Sequence, residues 1–71
     1  MLKKVTIYTN EKEKSLLVEK ELKKELELHS FLIDENDYDL GISIGGDGTF
    51  LKMVHDSDFK DIYYAGINTG S

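Results

Sequence analysis

The 71-residue sequence contains no cysteine, so no disulfide can reinforce its fold, and this composition is typical of a reducing compartment. The amino-terminal residues 1–8 include no apolar run long enough for a signal peptide or a membrane-spanning helix. These two absences predict a cytoplasmic protein with no membrane partner.

Basic charge is also scarce, with 9 basic against 14 acidic residues and a net charge of −5. Proteins whose main partner is nucleic acid need a clustered basic face. Here the lysines alternate with glutamates along residues 11–29, which excludes that class of partner. The acidic residues of segment 34–39 have the spacing of no EF-hand loop, so the sequence predicts no metal site there.

Apolar and β-branched residues alternate between strand-like and helix-like patterns. In chain order these patterns predict a strand at 4–9, a helix at 11–29, a strand at 31–33, an acidic turn at 34–37, a strand at 38–44, a helix at 49–55 and a strand at 62–67. Asn10 is the predicted N-cap of the first helix. The apolar stripe of that helix is expected to comprise Val18, Leu22 and Leu26, widened by Leu17 and Leu28. The second helix is expected to pack through Phe50, Leu51 and Val54.

Alternation of strands and helices predicts an α/β fold with an open parallel sheet and flanking helices. The chain is shorter than a common domain of roughly 100–150 residues. We also expect no element of the chain to be left to cover the second face of such a sheet. We therefore expect residues 1–71 to form a partial amino-terminal domain of a longer polypeptide.

The most informative segment is residues 42–51, where a short apolar run ends in Gly45-Gly46-Asp47-Gly48 and a helical pattern follows. Backbone N–H groups at a helix start favour an anion, and glycines let a phosphate or ribose approach the main chain. A carboxylate in such a loop suits a site that orients or deprotonates a hydroxyl, or that holds a metal ion between phosphates. The segment therefore indicates phosphoryl transfer to an alcohol, against the simpler interpretation of a plain glycine turn.

A second loop, residues 68–71, follows the last predicted strand. Ligands of parallel sheets gather at the carboxyl ends of the strands. We therefore expect this loop and the glycine loop 45–49 to face the same crevice.

The motif Gly45-Gly46-Asp47-Gly48-Thr49 resembles the signature of the superfamily that holds NAD kinases, diacylglycerol and sphingosine kinases, and 6-phosphofructokinases. Its continuation as Phe50-Leu51 is similar to NAD kinases in particular, and so is the later run Gly66-Ile67-Asn68-Thr69-Gly70. The resemblance is loose over residues 1–40 and specific over 42–51 and 65–71. It implies a Rossmann-like amino-terminal nucleotide-binding domain whose mostly β carboxyl-terminal partner domain lies outside this chain.

The resemblance implies transfer of a phosphoryl group from ATP or polyphosphate to the 2′-hydroxyl of NAD's adenosine ribose, with Mg²⁺ carried by ATP. It also implies a homo-oligomeric full-length protein. Asp47 would accept the hydroxyl proton or orient the hydroxyl. The residues that would bind substrate are Gly46, Asp47, Gly48, Thr49, Phe50 and Asn68. A carboxylate is ordinarily a weak base, so Asp47 must be partly desolvated or act as the transition state makes the hydroxyl acidic.

Two alternatives remain open at this point. One is a kinase of the same superfamily that acts on a lipid or a sugar phosphate, and the other is a non-catalytic nucleotide-binding module. The residues that grip the nicotinamide half of NAD in this family have no counterpart in the chain, so the 71 residues alone are predicted to be inactive.

Overall fold

The structure is a computed structural model that describes residues 3–58 and 61–69. In chain order its elements are β1 (Lys3–Thr9), α1 (Glu13–Leu28), β2 (Phe31–Ile33), β3 (Leu40–Gly45), α2 (Asp47–Asp56) and β4 (Tyr63–Asn68). The strands form one sheet in the order β2-β1-β3-β4, and every pairing is parallel. The predicted α/β class with an open parallel sheet is therefore confirmed.

The two helices cover opposite faces of this sheet, so the expectation that its second face has no cover was wrong. Successive residues of a strand point to opposite faces, and β3 shows this alternation clearly. Ile42 and Ile44 belong to the apolar cluster that contains Leu26 of α1. Gly41 faces the other way, because a Cβ atom added to it would lie 3.0 Å from the Met53 Sδ of α2.

Helix α1 begins later than predicted, at Glu13, with Lys12 as its N-cap residue. The prediction that Asn10 caps the helix was wrong. The Asn10 side-chain oxygen instead accepts a hydrogen bond from the Lys12 N–H at 3.1 Å, which forms a turn. Glu11, between them, has a left-handed φ of 64°, which a helix cannot contain.

The predicted apolar stripe of α1 is only partly correct. Val18, Leu22 and Leu26 do pack toward the sheet. Leu17 and Leu28 are 61% and 76% exposed, so the expectation that they widen the stripe was wrong. Each helical residue turns by about 100°, which carries these two positions away from the face that Val18 and Leu26 share.

Helix α2 begins two residues earlier than predicted, so Asp47 and Gly48 lie in its first turn and not in a preceding loop. Leu51 is 63% exposed, which contradicts its predicted packing role. Met53, which the pattern did not single out, is fully buried instead. The glycine at position 41 leaves the space that the Met53 side chain fills.

The predicted acidic turn after β2 is present, and its carboxylates serve local structure. The Asp34 side chain accepts the N–H groups of Asn36 and Asp37, and these bonds lower the pKa of the Asp34 carboxyl. The Lys4 ammonium lies 2.7 Å from the Asp37 carboxylate, which raises the pKa of Lys4. Within the described part of the chain, no helix combines the length and apolar character needed to cross a membrane.

Candidate nucleotide site

The glycine turn at the end of β3 is built by close packing. Gly45 has a φ of 150°, and a Cβ atom there would lie 2.8 Å from the Thr49 hydroxyl oxygen and 3.0 Å from the Asn10 amide nitrogen. Only glycine fits this position without strain. Gly46 then serves as the N-cap residue of α2 in an extended conformation, and no side chain caps the helix start. The N–H groups of the first turn are therefore directed beyond the helix end, where an anion is favoured.

Asp47 is the first residue of α2 and its side chain is exposed. A carboxylate at this position is stabilised by the positive end of the helix dipole, which by itself gives Asp47 a structural role. The side chain also lines a cleft at the carboxyl end of β3. A base role for Asp47 requires that its carboxylate be partly desolvated or act as the transition state makes the hydroxyl acidic. The described residues leave the Asp47 side chain exposed, so they do not supply the desolvation.

Gly48 differs from Gly45 because nothing crowds it. A Cβ atom added to Gly48 would meet no other atom within 4 Å. Glycine in a helix is less stable than alanine by roughly 0.5–1 kcal/mol. Packing among the described residues therefore does not explain glycine at this position, whereas close approach of a ligand would.

The two motifs meet at the carboxyl edge of the sheet, as expected for parallel strands. Asn68 lies beside Gly45 in the register of β3 and β4, and the Thr69 N–H donates to the Gly45 carbonyl at 3.1 Å. Asn68 is the last residue of β4 and not a loop residue as predicted. Residues 70 and 71 of the predicted loop lie outside the described residues.

The first cleft, of about 130 Å³, lies between the ends of β3 and β4. Four of the six predicted site residues line it, namely Gly46, Asp47, Phe50 and Asn68. Phe50 forms one wall, where its ring packs over Gly66 and meets the Tyr64 ring edge-on at 6.5 Å between centroids. The arrangement brings a carboxylate, a carboxamide and an aromatic face around one small space.

A second cleft, of about 460 Å³, lies on the other side of the first turn of α2. The remaining predicted residues, Gly48 and Thr49, line it together with Lys52 and residues 8–11 at the end of β1. Because α1 and α2 leave the adjacent strands β1 and β3 toward opposite faces, this cleft lies at a topological switch point, a common ligand position in α/β sheets.

Sequence reasoning missed this second cleft, because the adjacency of β1 and β3 depends on the strand order. Its charges are of both signs: Lys52 forms no ion pair with any described carboxylate, and Glu11 lies on the same rim. Among residues 3–58 and 61–69, no three acidic or histidine side chains converge on a possible cation position.

Comparison with known proteins gives one consistent result. The chain is similar to the NAD kinase of Finegoldia magna, with 42% identity over an alignment of 70 positions that covers 93% of this chain and 25% of that protein. It is 39% identical to the NAD kinase of Enterococcus faecalis over 69 residues, and 38% identical to that of Limosilactobacillus reuteri over 69 residues. These two matches cover 94% of this chain and 26% of each relative. No family model matches the chain. The chain spans about a quarter of the length of the curated relatives it matches.

Proposed function

We propose that the protein carrying this chain is an NAD kinase that makes NADP from NAD, on the premise that the chain is similar to curated NAD kinases over the segment that they share. The reaction is transfer of a phosphoryl group from ATP or polyphosphate to the 2′-hydroxyl of the adenosine ribose. The observation that carries the proposal is the placement of Asp47 at the positive end of α2, in one cleft with Asn68 from the second motif. The proposal concerns the complete gene product, since the chain spans a quarter of its relatives.

The two clefts have different chemistry, and this supports different occupants. In the first cleft, the Asp47 carboxylate can accept a hydrogen bond from a ribose hydroxyl, and the Asn68 carboxamide can donate or accept one. In the second cleft, the Lys52 ammonium and the Thr49 hydroxyl suit phosphate oxygens. We therefore assign the acceptor ribose to the first cleft and the donor phosphates to the second.

The first turn of α2 separates the clefts, so the hydroxyl and the transferred phosphoryl group would meet there. Asp47 orients the 2′-hydroxyl and takes its proton as the new oxygen–phosphorus bond forms, while the bond to the rest of the donor breaks. Phosphoryl transfer of this kind depends mainly on positioning and on neutralisation of charge. A divalent ion would arrive with the donor and be held chiefly by phosphate oxygens, with the Glu11 carboxylate of the second cleft and the Asp47 carboxylate of the first as available protein ligands.

The test is a coupled assay for NADP formation with the complete gene product, NAD, and either Mg-ATP or polyphosphate. We expect Asp47→Asn to lower kcat by roughly 10²–10⁴-fold, because the amide cannot accept the hydroxyl proton. Affinity for NAD, measured by calorimetry, should stay within a few-fold of the wild type. If affinity and turnover fall together, or if neither changes, the assignment of Asp47 as base is wrong.

The same assay separates the alternatives. A non-catalytic nucleotide-binding module would bind NAD without forming NADP. A kinase of the wider superfamily would consume ATP only with a lipid or sugar-phosphate alcohol. Either result with the folded wild-type protein would overturn the proposed function.

A further inference from the structure

A buried pair of hydroxyl groups joins the start of α1 to the end of the second motif. The Ser15 Oγ lies 2.8 Å from the Thr69 Oγ1, and one of the two hydroxyls donates to the other. Ser15 is fully buried and Thr69 nearly so. Alanine is a better helix former than serine, so helix propensity does not explain Ser15 in the first turns of α1. The buried hydrogen bond to Thr69 explains a serine at this position.

Thr69 is held at two points. Its N–H donates to the Gly45 carbonyl at 3.1 Å, which attaches it to the glycine turn, and its side chain bonds to Ser15 of α1. The residue immediately before it is Asn68, which lines the first cleft opposite Asp47. The direction in which the chain leaves β4, and with it the orientation of Asn68, therefore depends on a contact with a helix on the far face of the sheet.

We propose that Ser15 is a positioning residue for the first cleft: through Thr69, its hydroxyl fixes Asn68 at the place where the acceptor nucleotide binds. This inference rests on the proposed function of that cleft. Ser15 itself lines neither cleft, so its effect on the substrate is indirect.

A double-mutant cycle separates positioning from stability. Ser15→Ala and Thr69→Val each leave the opposite hydroxyl buried without its partner, and each should lower Tm by roughly 5 °C. The double variant removes both polar groups, and such paired replacement is often nearly neutral, so its Tm should return close to that of the wild type. KM for NAD should rise roughly ten-fold in all three variants and remain raised in the double variant, because Thr69 then keeps only its backbone bond to Gly45 and holds Asn68 less firmly. Thr69→Ser keeps the hydroxyl and should keep KM.

The matched control is the other buried hydroxyl pair of the described chain. The Tyr38 hydroxyl lies 2.6 Å from the Ser57 Oγ, and Tyr38 precedes β3, at the sheet edge opposite the clefts. Tyr38→Phe should lower Tm by a smaller amount, because the Ser57 hydroxyl still donates to the Met53 carbonyl at 2.8 Å, and should leave KM unchanged. If the Ser15→Ala/Thr69→Val variant recovers both Tm and KM, the pair only stabilises the fold and the inference is overturned.

A second readout does not depend on catalysis. In the ¹⁵N-labelled complete gene product, the side-chain amide signal of Asn68 should move in the double variant and stay in place in Tyr38→Phe. If that signal moves although the wild type forms no NADP, the proposed function fails and the positioning role stands. If the signal stays in place in the double variant, the positioning role fails whatever the activity.

Discussion

The two faces of the sheet are packed by different kinds of residue. On the face covered by α1, branched side chains such as Val5 and Ile44 are fully buried against one another and against Leu26. On the face covered by α2, β3 and β4 present the small residues Gly41, Ser43 and Gly66 beside Tyr64. Added Cβ atoms at Gly41 and Gly66 would lie 3.0 Å and 3.2 Å from side chains of the helix.

This difference shows a division of roles within a small chain. Apolar burial on the α1 face supplies most of the hydrophobic stabilisation that the described core residues provide. Small residues on the α2 face let that helix approach the strands closely, which places its first turn against the ends of β3 and β4. We therefore expect substitutions on the two faces to differ in kind, with the α1 face governing stability and the α2 face governing the site.

The largest effect on stability is expected from Leu26→Ala on the α1 face. Leu26 is 8% exposed and part of the apolar cluster, and removal of a buried leucine side chain costs about 2–5 kcal/mol. Urea unfolding followed by circular dichroism would measure the loss. The control is Leu28→Ala on the same helix, where the side chain is 76% exposed. Equal losses in the two variants would contradict the assignment of the core to this face.

A smaller loss of stability, about 1 kcal/mol, is expected from Gly66→Ala on the α2 face. The added methyl group would lie 3.2 Å from Phe50 Cδ2 and 3.3 Å from Ser43 Oγ, so the Phe50 ring must shift. Because that ring is a wall of the first cleft, affinity for NAD, measured by calorimetry, should fall several-fold.

Gly41→Ala is the matched control for this prediction. Its methyl group would also be crowded, chiefly by the flexible Met53 side chain, and Gly41 lines neither cleft. Stability should fall as in Gly66→Ala while affinity for NAD stays unchanged. If both variants lost affinity equally, Phe50 would not be the element that links this face to the site.

Gly48→Ala should change stability least and activity strongly. Its added methyl group has no other atom of the described chain within 4 Å. We therefore expect the free energy of unfolding to stay unchanged or to rise by up to about 1 kcal/mol. The methyl group would nevertheless occupy the space where a phosphate approaches the helix start, and a displacement of about 1 Å can reduce turnover by roughly 100-fold. The coupled NADP assay checks this. The exposed Leu51→Ala, on the same helix and outside both clefts, should retain full activity.

Local patterns in the sequence were sufficient to predict the class of fold and the segment beside which the two clefts lie. The spacing of Val18, Leu22 and Leu26 defined the buried stripe of α1, and the glycine run after β3 marked the turn. What the sequence could not show depends on contacts between distant residues. Met53 is buried because Gly41 leaves space for its side chain. Ser15 is buried against Thr69, which lies 54 positions later in the sequence.

The division of the predicted site residues between two clefts follows from the same kind of long-range information. Thr49 lines the second cleft and not the first, and residues 8–11 reach the second cleft because β1 lies next to β3. Neither fact can be predicted from the motif alone.

The central position of β1 has a consequence for how the molecule folds. Every pairing in the sheet is parallel, so no two strands can form a hairpin, and Val5 finds its partner in Leu40. Contacts between residues so far apart in sequence form slowly. During synthesis β1 emerges first, but it acquires its β3 neighbour only when residues 40–45 follow, and these end in the glycine turn. We therefore expect pairing of β3 with β1 and formation of the second cleft, which lies beside the end of β1, to be a single kinetic event.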